Sequence, residues 1–146
     1  MAKFVFRFAS NLRIKERIEE QRKLEYGRAL AALERERQKK AATLAERAKT
    51  IESFRESVNG GITPHELQTH NNYLTVLKER LIRQDAAIKK AEEHAEAKRL
   101  ELEEAMKERK IMEKLKENDR EEFIKTEQLK EQKIQDETVS YRYSRA

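Results

Sequence analysis

The stretch closest to catalytic chemistry is His65-Glu66-Leu67-Gln68-Thr69-His70. It resembles the zinc-protease arrangement of two histidines around a glutamate, but carries one residue more between the histidines. Ligands four apart share a helix face, whereas ligands five apart diverge by about 140° at 3.6 residues per turn. The third histidine, His94, stands alone in a charged run. No metal site and no cofactor are therefore expected. Gly60-Gly61 lacks the following Lys-Ser/Thr that a phosphate-binding loop needs. No Ser/His/Asp set is expected to converge, because two antiparallel helices are not expected to enclose a concave, water-excluding pocket. Cysteine is absent, which removes disulfides and thiolate ligands. These residue types predict a binding or mechanical role, not an enzyme.

The histidine pair sits just after the segment that must position everything else, Asn59-Gly60-Gly61-Ile62-Thr63-Pro64-His65-Glu66-Leu67. Two of the three glycines and the single proline fall within it. Gly60 suits the left-handed residue just past a helix end, where a β-carbon is penalised. Thr63 is a good N-cap, and Pro64 then occupies the first helical position, where its missing N–H has no intrahelical partner to lose. Glu66, three residues after Thr63, completes a capping box, and Ile62 and Leu67 stand at the positions of a hydrophobic staple. Stop, turn and restart signals coincide, so the chain is expected to fold back over residues 59–63.

On both sides the sequence reads as helix. Of the 146 residues, 42% are charged and 37% hydrophobic, with no tryptophan. Such an excess of Ala, Glu, Lys, Leu and Arg marks long helices or coiled coil, and the apolar residues recur at helical spacing, which separates this chain from a disordered one. The net charge of +5 is uneven: residues 1–58 hold 15 basic and 9 acidic residues, the remainder 18 and 19. A basic first arm favours an acidic partner surface over nucleic acid or anionic lipid. No apolar run approaches the roughly 20 residues needed to cross a bilayer, and Lys3 and Arg7 interrupt the start as a signal peptide would not.

Taken in order, Lys3-Phe4-Val5-Phe6-Arg7-Phe8 is a short extended lead-in or a first helical turn. Its phenylalanines, each worth about 1.5–3 kcal/mol when buried, require cover from the chain or a partner. A helix is expected from about residue 10 to 58, with a stripe Tyr26, Leu30, Leu33, Arg37, Lys40, Leu44, Arg47, Ile51, Phe54 and Val58 at spacings of 4 and 3. Leu12, Ile14 and Ile18 fall partly out of phase, so a drift near Gly27 is expected. The second helix, about 64–137, carries Leu74, Leu77, Leu81, Gln84, Ile88, Ala91, Ala95, Lys98, Leu102, Ala105, Arg109, Met112 and later Phe123. At 1.5 Å per residue the two span roughly 70 Å and 110 Å. Ser10 then lies opposite about Met112, and the rest of the second helix overhangs, carrying Leu115, Phe123, Ile124, Leu129 and Ile134. Residues 138–146 read as a flexible tail. The fold class is all-α: one long antiparallel two-helix coiled-coil hairpin over residues 1–146, a monomer in isolation, with an overhanging C-terminal helix.

Other roles fit less well. Acids nearly match the bases and aromatics are not interleaved with them, so phosphate affinity is expected to be weak and nucleic acid is not a predicted partner. A membrane-lying helix needs a broader apolar face. The capped turn argues against a homodimeric fibrous coil.

A start of the form Lys3-Phe4-x-Phe6-Arg7-Phe8 followed by Leu12, a helix of about fifty residues, Gly61-Ile62 at the turn, and a second helix opening with Tyr73 and Leu77 resembles the flagellar export protein family FliJ. The order covers essentially the whole chain. The stalk proteins of virulence-type injectisomes, of the YscO type, share the architecture, and they or a generic coiled-coil adaptor are the alternatives; the Phe-x-Phe-Arg-Phe start favours the flagellar branch. The resemblance implies a non-enzymatic stalk of the type III export apparatus, cytoplasmic and peripheral at the inner face of the cell membrane. Its implied partners are a FliI-like export ATPase ring, an FlhA-like export gate and substrate chaperones. The family's gate-binding face falls here on Tyr73, Leu77, Arg80 and Gln84. Arg80 and Gln84 depart from the small residue and the histidine of some relatives. Tyr73 and Arg80 lie outside the stripe and are the surface candidates. Phe4, Phe6, Phe8, Leu115 and Phe123, at the opposite end, are expected to meet the ATPase ring, and Gly60, Gly61, Thr63 and Pro64 form the turn.

Overall fold

A computed structural model describes residues 2–145. Two helices account for nearly all of it, α1 over Ala9–Asn59 and α2 over Pro64–Arg145, and among the described residues no strand forms. Contacts gather into two compact units, Lys23–Glu101 and Met1–Arg22 with Leu102–Ala146. In each, an α1 segment packs antiparallel against an α2 segment.

The first unit contains the turn. Gly60 N–H donates to the Ser57 carbonyl and Gly61 N–H to the Val58 carbonyl, both at 3.1 Å, which closes α1. The left-handed residue is Gly61, with φ +82°, not Gly60. One more residue belongs to the helix than the sequence suggests, so the unwinding shifts by one position. Thr63 starts α2 as expected: its Oγ1 accepts from the Glu66 amide at 3.2 Å, and its carbonyl from Leu67 N–H at 3.1 Å. The expected staple is loose, since Leu67 stays 41% exposed.

Away from the turn this unit buries Ala29, Leu33, Thr43, Leu77 and Ala95. The small side chains let the backbones approach, and polar pairs close the flanks. Glu25 meets Lys98 at 3.6 Å, Arg37 meets Glu92 at 3.5 Å, and Lys40 meets Asp85 at 2.7 Å. Every stripe position named on α2 is buried or half-buried. On α1 only part of the named stripe turns inward. Tyr26, Leu33, Lys40, Ile51 and Phe54 do, but Leu30, Arg37, Leu44, Arg47 and Val58 are exposed, and Ala29, Glu36 and Thr43 turn inward beside Leu30, Arg37 and Leu44. Positions three and four residues on lie on nearly the same face, and the small or hydroxylated one packs closer when it finds a partner, as Thr43 does in Gln84.

The second unit pairs the start of the chain with the far part of α2. Residues 2–6 precede the helix, and side chains of an extended segment alternate. Phe6 is buried and Phe4 and Phe8 half-buried, whereas Val5 and Arg7 are exposed. Leu12 is buried in the same phase as Tyr26, so the expected drift near Gly27 does not occur, and α1 runs through that glycine unbroken. Glu19, 5% exposed, is paired with Arg109, which also bonds Glu113 at 2.7 Å, and Lys15 meets Glu108 at 2.8 Å. α2 continues to Arg145, where the sequence suggests an end near residue 137 and a flexible tail. No glycine or proline interrupts it, and the Arg145 guanidinium lies 5.2 Å from the Tyr141 ring one turn back. From residue 128 onward the described residues are exposed.

Candidate interaction surfaces

Gly60, Gly61, Thr63 and Pro64 act as a turn and leave open the space beneath it. The seam residues there on α1 are Thr50, Ser53 and Ser57, too small to fill the gap between the helices. The result is a cleft of about 560 Å³ walled by Phe54, Ile62, His65, His70 and Tyr73, with Lys49 and Glu66 also lining it. No such concavity is expected from the sequence; the run of hydroxylated residues at seam spacing is the signal that could have revealed it. Within the cleft the His70 ring stacks on Phe54, with centroids 3.8 Å apart and planes 9° apart. Among the described residues no three metal-ligating side chains gather.

The four residues assigned by resemblance to the gate-binding face lie along one side of α2, but they do different things. Leu77 is fully buried, a core residue of the seam. Gln84 points across to α1, its Nε2 donating to Thr43 Oγ1 at 2.9 Å and to the Lys39 carbonyl at 3.3 Å, while its Oε1 is buried without a hydrogen-bond partner. Tyr73 and Arg80 stay reachable and converge on one acid. The Tyr73 hydroxyl donates to Glu46 Oε1, and the Arg80 guanidinium to Glu46 Oε2 at 3.2 Å. That hydrogen bond holds the Tyr73 phenol above its ordinary range, with desolvation and the charge of Glu46 acting the same way and Arg80 opposing. Nothing in the sequence singles out Glu46; it looks there like any other acid on a charged helix.

The residues assigned to an ATPase ring are largely engaged within their own unit. The Phe4 and Phe123 rings lie 5.5 Å apart and Phe6 meets Phe8 edge-on at 5.9 Å, both within the range of favourable aromatic pairs. Arg7 approaches Asp119 at 3.8 Å. The lead-in therefore covers α2 as far as Phe123, further than the register of the helices alone suggests, because an extended segment rises more per residue than a helix. Leu115 is half-buried. Ile124, Leu129 and Ile134 are apolar residues left in water, 45%, 66% and 62% exposed.

A family model described as flagellar FliJ protein matches residues 4–146 of the chain. Neither the curated proteins nor the solved structures yield a match.

Proposed function

The chain belongs to the flagellar FliJ family, and on that premise we propose that it is a non-enzymatic stalk component of the type III export apparatus, acting at the inner face of the cell membrane. The observation that carries the reading is the extent of the match, which takes in the aromatic lead-in, both helices and the turn. No helix among the described residues is long and apolar enough to cross a membrane, so in this reading membrane proximity comes from partners.

Two surfaces divide the work. The stretch of α2 beyond Phe123, exposed and with Ile124, Leu129 and Ile134 in water, enters the export ATPase ring and regulates it. The Phe4, Phe6, Phe8 and Phe123 contacts anchor the base of that stretch. The turn-end unit presents Tyr73 and Arg80 to the export gate, with Leu77 and Gln84 holding the helix beneath them. Export chaperones are further partners. An isolated helix of this kind is marginal in water, so ordering against a ring would give it a function that its own unit does not require.

Titration of the purified export ATPase with this chain tests the reading: hexamer content and turnover are expected to rise. Deleting residues 128–146, which leaves the Phe4–Phe123 contact in place, should remove most of the effect. An unchanged response to the shortened chain would refute the assignment of the ring contact to this stretch.

A further inference from the structure

Glu46 commits both carboxylate oxygens to the opposite helix, Oε1 to the Tyr73 hydroxyl and Oε2 to Arg80. All three groups remain in reach of solvent: Tyr73 is 36% exposed, and the Arg80 and Glu46 side chains 41% and 43%. A pair this wet contributes little to stability, because water screens it and two long side chains must be held still. Its opening leaves two donors aimed at one vacated point. Tyr73 also walls the turn-end cleft of about 560 Å³, beside Phe54, Ile62 and His70. That volume falls among those of ligand pockets, which combine an apolar wall with a few convergent polar groups.

We propose that Glu46 is a resident stand-in for an acidic residue of a partner protein. A segment with a bulky apolar side chain next to an Asp or Glu seats the apolar group in the cleft and takes Tyr73 and Arg80 from Glu46. The site itself shows the ligand chemistry, since its two donors already hold a carboxylate, one oxygen each, while Lys49 and Glu66 at the cleft offset one another in charge. Charge-assisted hydrogen bonds to one carboxylate are the stronger kind. The aromatic walls select for an apolar neighbour. The inference rests on the gate reading above only for which protein carries the segment.

Two probes separate the claims: the purified cytoplasmic domain of the export gate, and the synthetic peptide Glu-Trp-Glu-Glu-Trp-Glu, whose indoles report binding in a chain without tryptophan. Glu46→Gln should tighten both about three- to tenfold, since the competent state no longer competes with an internal carboxylate. Arg80→Ala should weaken both, and Glu46→Gln added to Arg80→Ala should bring a smaller gain than in the parent, because only Tyr73 is then released. Glu46→Asp, which keeps the charge but withdraws it from both donors, should also tighten binding and serves if Glu46→Gln lowers helicity. Affinity for the peptide that is unchanged or weaker in Glu46→Gln and Glu46→Asp, or a gain that is undiminished without Arg80, overturns the proposal. If the peptide follows the pattern and the gate domain binds no variant, the gate reading alone fails. If the gate domain binds but gains nothing from Glu46→Gln, the stand-in fails and the gate reading survives. Binding of neither probe by any variant sinks both.

Discussion

At the turn, Gly61 stands at φ +82°, while a β-carbon built on Gly60 would meet nothing nearer than the Ser57 carbonyl oxygen at 3.7 Å. The two glycines should therefore respond differently to the same change. Gly61→Ala is expected to cost roughly 1–2 kcal/mol, the penalty of the left-handed region for an L-residue. Gly60→Ala should fall within about 0.5 kcal/mol of the parent. Urea unfolding followed by circular dichroism distinguishes them, and equal losses would mean that the left-handed position is misassigned. Tyr73 gives a second test at this scale. Its phenol is held above the ordinary value near 10 by the bond to Glu46. The stabilisation this linkage contributes is complete below the unfolded-state pKa and is lost as pH rises through the higher folded-state value. In an alkaline titration of tyrosinate absorbance, Tyr73→Phe should remove a component that ionises above pH 10. Removal of a component at or below pH 10 would contradict the contact. The turn is readable in the sequence because its residues are chosen for backbone chemistry, which is local. The grip of Glu46 on Tyr73 and Arg80 is not, since it joins residues 27 and 34 positions apart, and nothing in a charged helix marks one glutamate among many.

Among the elements, α2 is more legible than α1. Its seam is mostly aliphatic or alanine, from Leu74 and Leu77 through Ala95 to Ala105, so hydrophobic spacing identifies it directly. The α1 seam uses Lys15, Glu19, Glu36, Lys40, Thr43 and Thr50, all buried or half-buried. Hydrophobic spacing there is drawn towards Leu30 and Leu44, which the helix turns to solvent. Polar seam residues find partners across the interface, as Glu19 does in Arg109 and Thr43 in Gln84. Such contacts depend on the register of two helices and cannot be read from either one. Gly27 is the one glycine inside a helix, and a β-carbon there would meet nothing within 4 Å. Gly27→Ala should stabilise the protein by about 0.8–1.0 kcal/mol, raising the melting temperature by roughly 2–4 °C for a chain of this length. A fall would show that the position is crowded or that the helix is interrupted there.

At the scale of the whole molecule, charge and pairing decide the outcome. The +5 net charge, concentrated in the first 58 residues, is consistent with acidic partner surfaces. In the structure, three basic residues of α1 are directed to α2: Lys15 to Glu108, Arg37 to Glu92, and Lys40 to Asp85. These pairs are exposed or half-exposed and individually weak. Their value is in register, because a slipped or parallel arrangement would set them against other residues. The family and the fold class are legible from the order of short signals along the chain. The cleft and the intramolecular cover over the phenylalanines are not, because both depend on how far an extended lead-in reaches and on which seam residues are too small. The proposed division between ring and gate presupposes that α1 meets α2 of the same chain.

The absence of cysteine lets that pairing be measured directly. With Lys40→Cys and Asp85→Cys, at an ion pair whose 2.7 Å closure includes the reach of the lysine side chain, a short bis-maleimide cross-linker should join the two thiols within one chain, seen as a compact monomer on a denaturing gel at every protein concentration. A covalent dimer whose yield rises with concentration would mean that the helices pair between copies, and the stalk reading would lose its structural basis.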